Sequence, residues 1–222
     1  MKKVIFILFI INLTFINKLF SQNNFSLGFK SSYNSSNINF YNNFFPQNIK
    51  TNSLKTFDYS FVAEIKNLKK TGLRLEFSKK TKGWSQIDDN NHIINNEFTY
   101  VNIPLMMTTY FGNNNSKIHF SIGPFTDFMI ENNSGINKTF SGLDFGFDEE
   151  RDNTFGYGII INTGLSFDFA KNSFQLLFSY NYNFDNLIDV VSKSSTIPDI
   201  SNFNTISVSL VYLFNFLRNE KL

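Results

Sequence analysis

The segment His119-Phe120-Ser121 combines residue types and a spacing that could support hydrolysis. On an extended strand, side chains two residues apart lie on the same face, so this imidazole and this hydroxyl could meet. Asp127 or Glu131 could orient the imidazole, which would then activate the serine as a nucleophile. An ordinary strand histidine and serine is the simpler interpretation, so hydrolysis is kept as an alternative function.

The other residues offer little for catalysis or metal binding. The chain has no cysteine, which excludes a disulfide framework, a thiolate zinc site and a cysteine nucleophile. His92 has no histidine or cysteine near it in the sequence, so a transition-metal site has almost no support. We therefore predict no catalytic residue, no cofactor and no metal site, and the protein is predicted not to be an enzyme.

Composition narrows the class of protein further. The 222 residues carry 20 Lys and Arg against 18 Asp and Glu, and a formal net charge of +2 excludes nucleic-acid binding through bulk charge. The aromatic fraction of 18%, with 29 phenylalanines, excludes a disordered chain, because so many rings would bury surface somewhere.

The first 21 residues have the pattern of a signal peptide. Lys2 and Lys3 precede an apolar run from Val4 to Phe15, and Ser21 is a small residue before a plausible cleavage site. The run is shorter than the roughly 20 apolar residues of a spanning helix, and no later segment is long enough either. We predict a signal peptide at 1–21 and one mature domain at 22–222, which is either soluble after export or crosses a membrane with strands.

Alternation of apolar and polar residues dominates the mature chain. In the last segment, Ile206, Val208 and Leu210 alternate with Ser207 and Ser209. A period of two residues is typical of β-strands with two different faces. Eight strands are predicted, over residues 24–34, 55–67, 71–82, 97–111, 116–131, 154–170, 173–185 and 203–216.

The predicted connections alternate strictly between short and long. The short ones are 68–70, 112–115 and 171–172, and the long polar ones are 35–54, 83–96, 132–153 and 186–202. Outer-membrane barrels have short periplasmic turns and longer extracellular loops. The sequence therefore predicts an all-β protein, an eight-stranded antiparallel up-and-down transmembrane β-barrel in the cell outer membrane. A soluble β-sandwich or lipocalin-like barrel is the alternative fold.

The two strand faces favour the membrane barrel. One face is almost entirely large and aromatic, and the other carries small, polar and charged residues, which suits phenylalanine in lipid around a tight polar lumen. Aromatic residues near strand ends, such as Phe57, Tyr59 and Phe214, fit girdles at the membrane interfaces. Trp84 opens a predicted long loop, and we expect it to anchor the interface.

The predicted lumen contains charges of both signs. An eight-stranded barrel is just wide enough for side chains to fill, so open diffusion of solutes is not expected. The simpler interpretation is a network of salt bridges and hydrogen bonds that plugs the barrel, and a proton or ion path is the alternative. The charged residues predicted to face inward are Glu64, Lys66, Arg74, Glu76, Asp127, Asp168 and Asp185.

The hairpin formed by 97–111 and 116–131 allows a register prediction. A four-residue turn at 112–115 keeps the apolar residues of both strands on one face and places Pro104 opposite Gly123. Because proline cannot donate to the ladder, β-bulges are predicted at Pro104 and Pro124.

The same hairpin carries a family resemblance. Its motifs are Tyr-x-x-Ile-Pro-Leu at 100–105 and Gly-Pro-Phe at 123–125, that is Tyr100, Ile103, Pro104, Leu105, Gly123, Pro124 and Phe125. This pair of strands resembles the PorT-like outer-membrane β-barrel proteins, whose founding member supports protein secretion. The resemblance implies an outer-membrane eight-stranded barrel, and it does not imply a catalytic site. The spacing of His119 and Ser121 is similar to that of barrel lipid A deacylases, although it lies beside a predicted periplasmic turn, away from lipid A.

The first functional hypothesis is a non-enzymatic integral outer-membrane barrel with a side-chain-filled lumen and a structural or interaction role through its long extracellular loops. An accessory outer-membrane component of a protein secretion system is the alternative, and an outer-membrane lipid hydrolase using His119 and Ser121 is the second alternative. The expected partners are outer-membrane lipid, lipopolysaccharide and a protein of the secretion machinery, with the chain itself a monomer. The acidic run 148–152 could bind divalent cations that bridge lipopolysaccharide, although a solvated loop is the default.

Overall fold

The computed structural model describes residues 23–41, 51–67, 70–87, 93–113, 115–134, 152–169, 171–189 and 199–216. The strands are β1 (Asn23–Tyr41), β2 (Asn52–Asn67), β3 (Thr71–Ile87), β4 (Ile93–Gly112), β5 (Ser116–Ser134), β6 (Phe155–Phe169), β7 (Asn172–Asn183) and β8 (Ile200–Asn215). The described residues include no helix that is long and apolar enough to cross a membrane. The predicted signal peptide, His92 and residues 148–151 of the acidic run lie outside the described residues.

The strands form a closed antiparallel barrel in chain order, and β8 completes it by pairing with β1. Closure of the barrel pairs the backbone N–H and C=O groups that would remain unpaired at the edges of an open sheet. The connections 68–70, 113–115 and 170–171 lie at one end, called the short-turn end, where β1 also begins and β8 ends. The opposite end is called the long-loop end. The predicted eight-stranded antiparallel up-and-down barrel is confirmed.

The side chains point in the predicted directions. Many large apolar residues of the outer wall are exposed, Phe61 at 63% and Leu105 at 51% among them. Glu64, Arg74 and Asp127 point into the lumen and are fully buried. A water-soluble barrel would have the reverse arrangement, so the alternative soluble fold is wrong.

The outer wall changes character before the strands end. On β1 the outward side chains up to Tyr33 are apolar except for Ser31, and Ser35, Asn37 and Asn39 occupy the next outward positions. On β3 the change falls between Phe77 and Lys79. A tilted strand of about ten residues is enough to cross a bilayer, and β1 has 19 residues. The barrel wall therefore continues beyond the apolar band at the long-loop end.

Several strands are longer at this end than the sequence predicts. β3 ends at Ile87 instead of residue 82 and β4 begins at Ile93 instead of residue 97, so residues 88–92 are the whole connection. The predicted boundaries were wrong because the two faces exchange character here. Trp84 and Phe98 point inward and are 1% exposed, while the outward positions are polar.

The register of the β4–β5 hairpin differs from the prediction by two residues. The apolar residues of both strands share the outer face as expected, and Met107 pairs with Ile122. Pro104, however, pairs with Phe125 and not with Gly123. The reason is that the last pair is Gly112 with Lys117, so the four-residue turn begins one residue later than predicted.

The predicted bulges at Pro104 and Pro124 are also wrong. The β3–β4 pairing is interrupted between Leu75–Leu105 and Ser78–Asn102 and then resumes in the same register. Proline removes one ladder donor without adding a residue, so the strand loses a hydrogen bond and keeps its alternation. The register shift of this hairpin lies between Thr99 and Tyr100 instead.

Candidate functional site

A network of charged side chains crosses the lumen toward the short-turn end, and we call it the Arg74 network. Arg74 Nε donates to Glu76 Oε1 at 2.8 Å, and its Nη1 donates to Gln175 Oε1 on β7 at 2.7 Å. Lys30 Nζ lies 2.5 Å from the other oxygen of Glu76. Arg74 Nη1 is also 3.5 Å from Glu64 Oε2. Four strands are thus joined through the lumen.

The pairing of charges explains how this network tolerates burial. An ionised side chain removed from water is costly unless an opposite charge and hydrogen bonds replace the water. Lys30 and Arg74 supply two positive charges, and Glu64 and Glu76 supply two negative ones, all in buried side chains. The positive and negative charges of these four side chains therefore balance, and the side chains close the barrel at this level.

A second group, the Lys82 network, crosses the lumen nearer the long-loop end. Lys82 Nζ pairs with the Asp127 carboxylate and donates to Asn183 Oδ1 at 2.8 Å. Asn102 Nδ2 donates to Asp127 Oδ1 at 2.7 Å. The Lys82 ammonium also lies 4.8 Å from the centre of the Phe125 ring, which adds a cation–π contact. These residues come from β3, β4, β5 and β7.

A small polar cavity lies beside the charged networks. It has a volume of about 10 Å³, which is room for roughly one water molecule. Lys80 and Asp58 line it together with Ser179 and Asn181. Among the described residues, the Ser179 hydroxyl and the Asn181 amide have no hydrogen-bond partner. Two small groups of buried apolar side chains also point into the lumen, namely Val62, Leu177, Val211 and Leu213, and Met106, Phe125 and Ile160. The cavity beside the charged networks is too small for a solute.

An apolar cluster fills the lumen at the long-loop end, above the Lys82 network. Trp84 stacks on Phe98 with ring centres 5.7 Å apart and meets Phe40 edge-on at 5.2 Å. We call this group the aromatic plug. Its buried members are Ile38, Phe40, Trp84, Phe98, Tyr100, Leu187, Ile188 and Phe203. At this level the barrel has an apolar interior, and outward residues such as Asn37, Asn39 and Ser85 are polar, as in a water-soluble barrel.

Trp84 therefore does not anchor the membrane interface as predicted. β3 continues as a strand past the predicted boundary, and its alternation turns Trp84 into the lumen. A loop residue could have faced the lipid, but a strand residue at this position cannot. The predicted outward aromatic residues Phe57, Tyr59 and Phe214 are on the outer wall, at 57%, 69% and 39% exposure.

The structure does not assemble the hydrolytic site considered from the sequence. His119 and Ser121 are buried in the lumen, and His119 stacks on Tyr110 with ring centres 4.9 Å apart. Neither ring nitrogen of His119 has a hydrogen-bond partner among the described residues. The Ser121 hydroxyl instead accepts from Asn162 at 2.9 Å. Nothing here activates the serine.

The two acids that could have oriented His119 form contacts with other residues. Asp127 belongs to the Lys82 network. Glu131 is exposed on the outer wall, 3.8 Å from Lys79 Nζ. About 12 strand residues, or roughly 40 Å, separate His119 from Glu131 along β5. The geometry therefore gives no support to a Ser-His-acid arrangement.

The inward-facing charges were predicted in part. Glu64, Arg74, Glu76 and Asp127 are buried in the lumen as expected. The remaining three lie at its ends and are only partly buried. Lys66 is 3.5 Å from Glu64, Asp168 pairs with Lys117 at 2.5 Å, and Asp185 accepts from the Tyr157 backbone N–H at 2.8 Å.

The sequence analysis missed four buried charges in the lumen set, namely Lys30, Asp58, Lys80 and Lys82. The signal was present, because each stands at an inward position of a strand whose neighbours face outward. Asp58 lies between the outward Phe57 and Tyr59, for example. Lys80 was harder to place because it follows Lys79, which has the same charge and points the opposite way.

The sequence also matches a known family. Residues 20–189 fit the model of a family described as outer membrane protein beta-barrel domain. The chain belongs to this family. It is an outer-membrane β-barrel protein, so the short-turn end is the periplasmic end and the long-loop end is extracellular. No curated protein matches the chain significantly.

Solved structures with a similar fold include three bacterial barrels. Neisserial surface protein A is 11% identical, with a TM-score of 0.46 over 86% of this chain and 97% of that one. Ail of Yersinia pestis, in complex with the heparin analogue sucrose octasulfate, is 14% identical, with a TM-score of 0.44 over 87% and 99%. AlkL in lipid bilayers is 12% identical, with a TM-score of 0.48 over 90% and 93%. These similarities are too distant to carry a function.

Proposed function

We propose that this outer-membrane protein is a non-enzymatic barrel with a lumen closed to solutes, and that it acts as a structural or interaction protein through its extracellular end. The observation that carries the proposal is the stacking of three side-chain layers along one lumen. The Arg74 network, the Lys82 network and the aromatic plug each reach across the barrel. A solute would have to displace all three.

The three layers resist displacement for different reasons. Separating Arg74 from Glu64 and Glu76 would leave uncompensated charges in a buried space, which costs several kcal/mol. Opening the aromatic plug would expose apolar rings, each of which gains about 1.5–3 kcal/mol from burial. A closed lumen follows from both costs together.

The extracellular end supports an interaction role. The wall extends beyond the apolar band, with Asn37 and Asn39 facing outward and the aromatic plug packed inside. A packed core of this kind holds the strand ends in fixed positions. The ends of the strands thus form a rigid base for the extracellular loops, where binding residues are commonly found.

Conductance across a planar bilayer tests the closed lumen. We expect the purified, inserted protein to show no stable current steps above baseline, while an open porin in the same membrane does. Insertion is checked by the change in gel mobility between heated and unheated samples. Stable, repeatable current steps from the inserted wild type would contradict a lumen closed to solutes.

A narrower assignment to the PorT-like proteins, with an accessory role in secretion, is a second proposal. It is supported by the motifs at 100–105 and 123–125, which lie side by side on the paired strands β4 and β5. Purification in mild detergent from its native cells tests this role. A protein partner in stoichiometric amount supports it, and a pure monomer with lipid alone contradicts it.

A further inference from the structure

The outer wall carries an apolar groove centred on Ala63. In one row of paired residues, Ala63 stands between Leu27 on β1 and Leu75 on β3, so a single methyl group separates two leucines. The rings of Phe29 and Phe61, with centres 5.0 Å apart, border the groove on one side. Its volume is about 500 Å³, in the range of ligand sites. The groove exists because one residue in a bulky row is small.

The depth of the groove can be placed from the periplasmic turn. Leu75 lies five residues above Lys70 on β3, or roughly 17 Å along the strand at ~3.3 Å per residue. With a strand tilt of about 40°, this is roughly 13 Å along the membrane normal. Half of the ~30 Å hydrocarbon core is about 15 Å. The groove therefore opens onto the acyl chains of the periplasmic leaflet.

The charge at the periplasmic end favours an anionic occupant. Lys70 is exposed, and its Nζ donates to the Gly112 carbonyl at 2.6 Å, a neutral group that does not cancel its charge. Lys117, at the next turn, is by contrast neutralised by Asp168 at 2.5 Å. A lipid phosphate beside Lys70 would supply the missing negative charge.

We propose that the Ala63 groove holds an acyl chain of an anionic phospholipid of the periplasmic leaflet, with its phosphate beside Lys70. Contact with Leu27, Leu75 and the bordering rings on several sides holds this chain longer than the lipids around the rest of the wall. The proposal depends on the outer-membrane barrel and not on the closed lumen, so the two proposals can be tested independently. It specifies the expected lipid partner as an anionic phospholipid and places its binding site at the Ala63 groove.

Retention of lipid by the intact protein tests this site. The protein is reconstituted with phosphatidylglycerol and phosphatidylcholine of identical chains, released into mild detergent, and weighed by native mass spectrometry. The Ala63→Phe variant fills the groove, and Thr163→Phe adds the same ring at an outward position of β6, away from the groove. Lys70→Asn removes the charge and suits the positive φ of 65° at that position, and Lys79→Asn, which removes an exposed lysine of β3 that does not line the groove, is its control.

The expected result is a wild type that retains phosphatidylglycerol in preference to phosphatidylcholine. Ala63→Phe should lower retention of both lipids about tenfold, which corresponds to lost contact with about two methylene groups. Lys70→Asn should abolish only the preference between headgroups, and the two controls should behave as wild type. Each variant is first shown to be folded by its heat-modifiable gel mobility, and Ala63→Leu replaces Ala63→Phe if the larger ring prevents folding.

Three results would overturn the proposal. They are equal retention by wild type and Ala63→Phe, an equal loss in Thr163→Phe, and a wild type without headgroup preference. Lipopolysaccharide added to the mixture should leave the retained phosphatidylglycerol in place. Its displacement by lipopolysaccharide would assign the groove to the other leaflet and would equally contradict the proposal.

Discussion

At the scale of single residues, the contribution of a charged side chain to the stability of this barrel depends on whether it points into the lumen or outward. Arg74 and Lys79 lie on the same strand, five positions apart. Arg74 is fully buried between Glu64 and Glu76, whereas Lys79 is 67% exposed beside Glu131, which is 51% exposed. Buried pairs lose several kcal/mol when one partner is removed, and exposed pairs lose little. The two positions therefore form a natural comparison.

The Arg74→Ala variant should lower the free energy of unfolding by about 3 kcal/mol, because the buried Glu64 and Glu76 each lose one of their two positive partners and keep only Lys66 and Lys30. The Lys79→Ala control should change it by less than about 1 kcal/mol. Urea unfolding in liposomes, followed by the fluorescence of the single tryptophan, measures both. Equal and small changes in the two variants would show that the Arg74 network does not support the barrel.

At the scale of one strand, β3 shows how the two faces exchange roles. Within the apolar band, Leu75 and Phe77 face the lipid while Arg74 and Glu76 face the lumen. Above the band the alternation continues, but Trp84 is now the inward residue. The strand keeps a period of two residues throughout, and only the surroundings of its two faces change.

Fluorescence quenching tests the position of Trp84. The tryptophan should be quenched neither by iodide in water nor by brominated lipids, because it is 1% exposed inside the wall above the bilayer. As a control, a Trp84→Phe and Phe57→Trp double variant moves the fluorophore to the outward aromatic girdle, where brominated lipids should quench it. Strong quenching of the wild type by brominated lipids would place Trp84 at the membrane interface after all.

At the scale of the whole molecule, the barrel consists of two stacked parts with opposite polarity. The periplasmic part is apolar outside, as lipid requires, and its interior carries the two charged networks together with two small apolar clusters. The extracellular part has the aromatic plug inside and polar residues such as Asn39 outside, as water requires. The membrane boundary on β1 therefore falls just beyond Tyr33, where the outward residues change.

Thiol labelling tests this boundary, and the absence of cysteine from the chain makes each introduced thiol unique. We expect the Asn39→Cys variant to react with a membrane-impermeant maleimide at least about tenfold faster than the Phe29→Cys variant, because only the first lies outside the hydrocarbon region. The reaction is followed on the protein inserted in liposomes. Equal protection of both thiols would mean that the whole length of β1 is embedded.

The sequence by itself determined the strand count, the outer wall and half of the lumen charges. Alternation of residues such as Ile206 and Ser207 encodes which face is apolar, and this information is local to each strand. The prediction from alternation was wrong beyond the apolar band, where the apolar face of β3 turns toward the lumen. Trp84 was predicted to lie at the membrane interface because apolar side chains were expected to face lipid, whereas at this level they face the lumen.

The tertiary structure alone decided which inward groups meet. Arg74 and Gln175 are 101 positions apart in the chain, and Lys82 and Asn183 are separated by the same distance. No local pattern contains such pairings, because they depend on closure of the barrel and on the register of every strand between them. The separation of His119 from Glu131, by contrast, follows from the extension of the single strand β5 and needs no closure. The period of a strand fixes its faces, whereas only the closed barrel fixes what each face touches.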